Sequence, residues 1–216
     1  HMGQSKKERY FHDSLQGKSI LVTDGISNIG QALIELAILS GASAVYTTAL
    51  EKNHDFLRFA GAIPLDVCQE VWLPQVQGRM DLVIDSTCID HYISSWHATN
   101  SFGKLVCVGM SSILDRPTDL LSSIEASWTK AKTKLMPRTE IYDLYENWND
   151  DFDGCKSDLK HLFLLLEMGL INPHIASILS LSKVVKAQHH IESIQQIQGI
   201  FVCEPWRKTE NSDLLM

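Results

Sequence analysis

Between Ser19 and Gly41 the chain changes period once, and that change restricts the fold more than any other feature. Ser19-Ile-Leu-Val-Thr23 is a short apolar run, and Asp24-Gly25-Ile26-Ser27-Asn28-Ile29-Gly30 is a glycine-bearing turn. Ile29, Ala32, Leu33 and Leu36 then recur at helical spacing up to Ser40, where Gly41 offers a left-handed cap. This is a strand, a turn and a helix. The alternation recurs downstream: strand 44–48, helix 53–60, strand 63–65, helix 69–77, strand 81–85, helix 91–98, a turn at Ser101-Phe102-Gly103 and strand 104–108. Near-continuously apolar strands separated by helices imply a parallel sheet covered on both faces. The expected fold is α/β, a doubly wound Rossmann-type sheet. Further on, the pattern predicts a helix over 120–130, a strand fragment at Leu135-Met136 and an acidic loop over 148–154. A strong amphipathic helix follows over 157–168, then a strand over 171–175, a helix over 182–194 and a strand over 199–203.

The 216 residues suffice for one full core and part of a second. Composition is ordinarily globular, 44% hydrophobic and 21% charged, and no apolar run reaches the ~18 residues of a membrane span. Nineteen basic against twenty-six acidic residues give a formal charge of -7, which argues against nucleic acid as a partner. Cys68, Cys88, Cys107, Cys155 and Cys203 are odd in number and contain no Cys-x-x-Cys pair, so a reducing compartment, the cytoplasm, is expected. His1-Met2 reads as a tag remnant, and an organelle signal lost with a shortened N-terminus remains compatible with the sequence.

The turn after the first strand lies where dinucleotide-binding folds carry G-x-G-x-x-G. Gly25 permits the tight turn, Gly30 lets the helix approach the strand, and the amides of Asn28, Ile29 and Gly30 face a diphosphate with the helix dipole behind them. Ser27 replaces the middle glycine, and its hydroxyl is expected to meet a phosphate oxygen. A bare turn with nothing bound is the alternative. No acid occupies the end of the second strand at Thr48, and Lys52, His54 and Arg58 follow; NADP(H) is therefore favoured over NAD(H), with Glu51 opposing. Two loops at the same sheet edge, Ser86-Thr87 and Gly109-Met110, are expected to meet the nicotinamide ribose and carboxamide, or, for Ser86 and Thr87, only to cap a helix.

Several stretches taken together carry a resemblance: Ser19-ILVTDGISNIGQALIELAILSGA-Ser43, Glu51-KNHDFLRFAGA-Ile63, Asp81-LVIDS-Thr87, Phe102-GKLVCVG-Met110, and Leu164-LLEMGLINPHIASILSLSKVVKAQHHIES-Ile194 with Gly199-IFV-Cys203. They resemble the medium-chain dehydrogenase/reductase superfamily, especially its zinc-free quinone oxidoreductase and enoyl reductase branch. The resemblance implies hydride transfer from a nicotinamide nucleotide held in a cleft between a nucleotide domain and a barrel-like substrate domain. The chain departs from that pattern in having fewer than twenty residues ahead of the first strand, so most of the substrate domain and any zinc ligands are absent. The implied organisation is an N-terminal tail over 1–15, a nucleotide-binding domain over 16–168, a closing segment over 169–207 left over from the substrate domain, and a frayed tail over 208–216. Strands in that closing segment need a partner for their edges, implying a homo-oligomer or a second chain. A catalytically inert module that binds a protein partner is the competing reading; the chain alone is expected to be inactive.

Other constellations are weaker. The turn echoes short-chain dehydrogenases, but none of Tyr10, Tyr46, Tyr92, Tyr142 or Tyr145 has lysine four residues later. His189-His190, His161 and His174 lack metal-ligand spacing. Cys88 reads as structural, and Asp143, Glu146, Asp150, Asp151 and Asp153 as a solvated face.

Overall fold

The computed structural model describes residues 14–108, 120–193 and 199–207. Six strands, β1 (Ser19–Val22), β2 (Ala44–Ala49), β3 (Ile63–Asp66), β4 (Met80–Asp85), β5 (Thr99–Val108) and β6 (Thr139–Tyr142), form one sheet in the order β3-β2-β1-β4-β5-β6. Every neighbouring pair is parallel. Helices α1 (Asn28–Leu39), α2 (His54–Phe59), α3 (Gln69–Val76), α4 (Ile93–Ala98) and α5 (Leu120–Leu135) make the crossovers. This is the doubly wound order, in which the direction of winding reverses between β1 and β4.

Strand β1 is only four residues long, yet Ile20, Leu21 and Val22 are all buried. Their alternation splits them between two cores. Ile20 and Val22 join Ile34 and Ala37 of α1, Val45 of β2 and Leu57 of α2 on one face. Leu21 joins Val83 and Leu105, together with Trp72, Val76, Tyr92 and Ala98, on the other. Each such side chain contributes roughly 1.5–3 kcal/mol by leaving water, more than the ~1 kcal/mol span of intrinsic strand propensity. Gly41, at φ 84, closes α1 as its position suggests.

The downstream half departs from the sequence expectations. Leu135-Met136 is not a strand: α5 continues to Leu135, and the sixth strand begins only at Thr139, beyond the Pro137 that cannot extend the helix. Residues 148–154 are not a loop. Helices α6 (Leu144–Asp150) and α7 (Phe152–Glu167) run through them, and two of the supposed solvated acids are caps: Asp143 accepts from the Tyr145 and Glu146 amides, Asp151 from Gly154. The turn at Ser101-Phe102-Gly103 lies inside β5, where the register against β4 slips between Met80–Thr99 and Leu82–Lys104. The strand placed at 171–175 starts where that expectation ends, as β7 (Ile175–Ser180), because Pro173 interrupts the earlier residues.

After α7 come β7, helix α8 (Val184–Ser193) and β8 (Ile200–Glu204). Strands β7 and β8 form a separate parallel pair. This segment leans on the α1 and α2 side of the nucleotide unit: Glu35 accepts from the Asn172 amide, and the His174 ring meets Phe56 edge-on at 5.8 Å. Among the described residues no helix is long and apolar enough to cross a membrane.

Candidate nucleotide site at the sheet's C-terminal edge

At the reversal between β1 and β4, the ends of β1, β2 and β4 converge. The turn after β1 is held by its neighbours: Asp24 donates its amide to Thr48 Oγ1 at 3.1 Å and Gly25 to the Thr48 carbonyl at 3.2 Å. Both glycines are required by close approach. A Cβ on Gly30 would lie 2.2 Å from the Asp24 carbonyl oxygen, and one on Gly25 would lie 2.1 Å from Thr47 Oγ1. Thr47 cannot move aside easily, since it is buried and its hydroxyl donates to the Val22 carbonyl.

Ser27 is the N-cap of α1. Its hydroxyl accepts from the Gly30 amide at 3.0 Å and donates to the Asp24 carbonyl at 2.8 Å. The side chain expected to meet phosphate, and the third of the expected amides, are thus engaged with each other. Asn28 and Ile29 differ. Their amides meet no acceptor among the described residues, and both residues are exposed at the mouth of the helix. A tight turn that tolerates no Cβ, with two outward amides on a twelve-residue helix, fits one diphosphate.

Beneath the turn lies a polar network that sequence reasoning did not single out. The buried Asp85 carboxylate accepts from Thr23 Oγ1 at 3.0 Å, the Thr87 amide at 2.7 Å, the Thr87 hydroxyl at 2.8 Å, the Cys88 amide at 3.2 Å and the Ser95 hydroxyl. Thr23 in turn accepts from the Ser86 amide at 3.1 Å. Five donors and no cation satisfy this carboxylate, which ties the β1 end to the loop after β4. The legible signal was that β1 ends in Thr and β4 ends in Asp. Those ends become neighbours once the strand order is assumed. A cleft of about 40 Å³, lined by Thr23, Thr48, Trp72, Asp85, Thr87 and Ser95, opens there. It has room for a few waters and none for a nucleotide.

Ser86 and Thr87 do not cap α4: its N-cap is Tyr92, which makes no side-chain cap bond, and the Ser94 amide of the first turn donates instead to the Asp90 carboxylate at 2.8 Å. The intervening loop is strained, with Cys88, His91 and Tyr92 all in the left-handed region at φ 53, 58 and 65. Burial pushes the Cys88 thiol up, as it does Cys107 and the Tyr92 phenol, so Cys88 is a poor nucleophile. Thr48 is buried at the end of β2. Lys52 is exposed just beyond it, whereas Arg58 is paired with Asp55 at 2.8 Å and the His54 ring bonds the Ala49 carbonyl. Gly109 and Met110 lie outside the described residues, as do 1–13 and the tail 208–216. No three His, Cys, Asp or Glu side chains among the described residues converge on a metal position.

Comparison with known proteins places this geometry. The family model described as zinc-binding dehydrogenase matches residues 59–197. The chain belongs to that family, within the medium-chain dehydrogenase/reductase superfamily. Among solved structures it is similar to a quinone oxidoreductase from Coxiella burnetii, at 25% identity and TM-score 0.62 over 91% of this chain and 56% of that one. The fold is also that of a probable oxidoreductase from Mycobacterium abscessus, at 20% identity and TM-score 0.64 over 90% and 56% of the two chains. The JamJ enoyl reductase shares it too, at 17% identity and TM-score 0.66 over 91% and 60%. The chain therefore spans somewhat more than half the length of these relatives. No curated protein matches the sequence.

Proposed function

We propose that this chain is the nicotinamide-nucleotide-binding part of a medium-chain reductase acting on quinones or enones. The observation that carries this reading is the pair of amides, Asn28 and Ile29, without acceptors at the point where the sheet's winding reverses. These amides hold the diphosphate, with Gly25 and Gly30 keeping the backbone close enough to reach it. Thr48 and Lys52 flank the adenosine ribose; the neutral Thr48 and the exposed Lys52 favour NADP(H) over NAD(H). Ser86 and Thr87, positioned through Asp85, stand beside the nicotinamide half, with Gly109 and Met110 continuing that edge. A bound nicotinamide supplies the hydride, and the side chains of this unit orient it and donate no proton.

In this reading residues 16–168 are the nucleotide unit and 169–207 close a substrate domain whose other parts come from additional chain or a partner. The chain alone binds cofactor without turnover. Its cysteine usage suits a reducing compartment such as the cytoplasm. The engagement of Ser27 with Gly30 favours a second reading, an inert module that binds a protein partner. Titrating NADPH and NADH while following nicotinamide fluorescence, with quinone and enone turnover assayed in parallel, separates the two. Saturable binding with NADPH tighter is expected; no binding at millimolar nucleotide supports the inert module instead.

A further inference from the structure

We infer that Asp24 sets the anion affinity of the α1 turn, so that nucleotide binding, the reading on which this rests, strengthens when the Asp24 carboxyl is neutral. The residue is held rigidly. It sits at φ 53, which L side chains seldom adopt; its amide donates to Thr48 Oγ1, and its carbonyl accepts from both the amide and the hydroxyl of Ser27. Three bonds on the two peptides flanking its Cα fix where the Cβ points. The half-buried carboxyl lies beside the hydroxyl of Ser27, the cap of the helix whose first two amides are open. A negative charge there competes directly with an incoming diphosphate for the positive end of α1.

The surroundings do not cancel that charge. The first turn of α1, Asn28 to Gln31, carries no ionisable side chain, and the end of β2 offers only the neutral Thr47 and Thr48. Beyond β2 stand Glu51, Lys52 and His54, the last bonded through its ring to the Ala49 carbonyl. From β4 comes Asp85, already surrounded by hydroxyls and amides. Burial pushes the Asp24 carboxyl above the usual carboxylate range, with the Ser27 hydrogen bond opposing in part. Since a bound diphosphate favours the neutral carboxyl, affinity rises as pH falls through the Asp24 titration. Removing one like charge beside a bound diphosphate is worth about tenfold in affinity.

The test titrates NADPH against wild type, Asp24→Asn and Asp158→Asn from about pH 4 to about pH 8, a range that starts at an ordinary Asp carboxylate and runs above a raised one. Asp158→Asn makes the same charge change on α7. Asp24→Gly serves as a second neutral variant that adopts this backbone freely, and thermal melts establish that each variant folds. Wild-type and Asp158→Asn affinity should climb about tenfold toward low pH, with both Asp24 variants tight and nearly flat. Wild-type binding that is flat with pH and matched by Asp24→Asn overturns the inference and leaves the nucleotide site standing. No binding by any variant at any pH overturns both.

Discussion

Tyr92 combines three unfavourable features: a left-handed backbone, complete burial, and a hydroxyl that has no well-formed hydrogen bond among the described residues, only the weakly bonding Cys88 thiol beside it. The ring compensates by filling the core beside Leu21, Val83 and Leu105, where loss of a large aromatic side chain costs about 3–5 kcal/mol. Its hydroxyl contributes nothing that the backbone needs. Tyr92→Phe should therefore match or exceed wild-type stability, by up to about 1 kcal/mol in urea unfolding, because a buried polar atom is removed at the loss of only a weak contact with the Cys88 thiol. A clear loss of stability would mean that the phenol has a partner after all. None of this was legible in the sequence, where Tyr92 counted only as a tyrosine without a following lysine. Asp85 was equally silent there, since its donors come from β1, its own loop and α4, and nothing local announces that convergence.

Elements were legible where one period dominates. β1, α1, β2 and β4 fall within two residues of expectation, because each buries an apolar run or stripe that leaves only one way to pack. The helix over 157–168 was legible as part of α7, but residues 143–154 were misread for a different reason: their acids were taken for solvation when Asp143 and Asp151 begin helices. The spacing Asp143-Leu-Tyr-Glu146 is the kind of start signal that would have found α6. At α1 the site itself was half legible. Strand, turn and glycines stood in the sequence, but the cap that engages Gly30 needed the turn's geometry. That cap gives a second prediction: Ser27→Ala should cost about 1 kcal/mol, Ser27→Gly only a few tenths. Ser27→Gly should also tighten nucleotide binding, since it releases the Gly30 amide; weaker binding by calorimetry would show that the serine hydroxyl contacts the ligand.

At the scale of the molecule, the nucleotide unit and the β7–β8 pair stand differently. The six-stranded sheet is covered by helices, as a parallel sheet requires. The two-stranded pair has open edges among the described residues, and Ile175, Ile178 and Ile200 remain exposed on it. Nearby, α7 exposes Leu159, Phe163, Leu164 and Leu166. Relatives about one and a half times as long share this fold, and in the proposed reading further chain or another copy covers these faces. The isolated chain should bind a hydrophobic dye and show concentration-dependent association in sedimentation. A monomer at all concentrations, with no dye binding, would remove the case for a missing partner. Nucleotide binding as proposed depends on two amides. Backbone chemical shifts of Asn28 and Ile29, followed by NMR as NADPH is added, test it most directly. Saturating shifts at both, carried along the Thr23–Gly30 turn, are the predicted result; shifts elsewhere with these two unmoved would contradict a diphosphate at the α1 mouth.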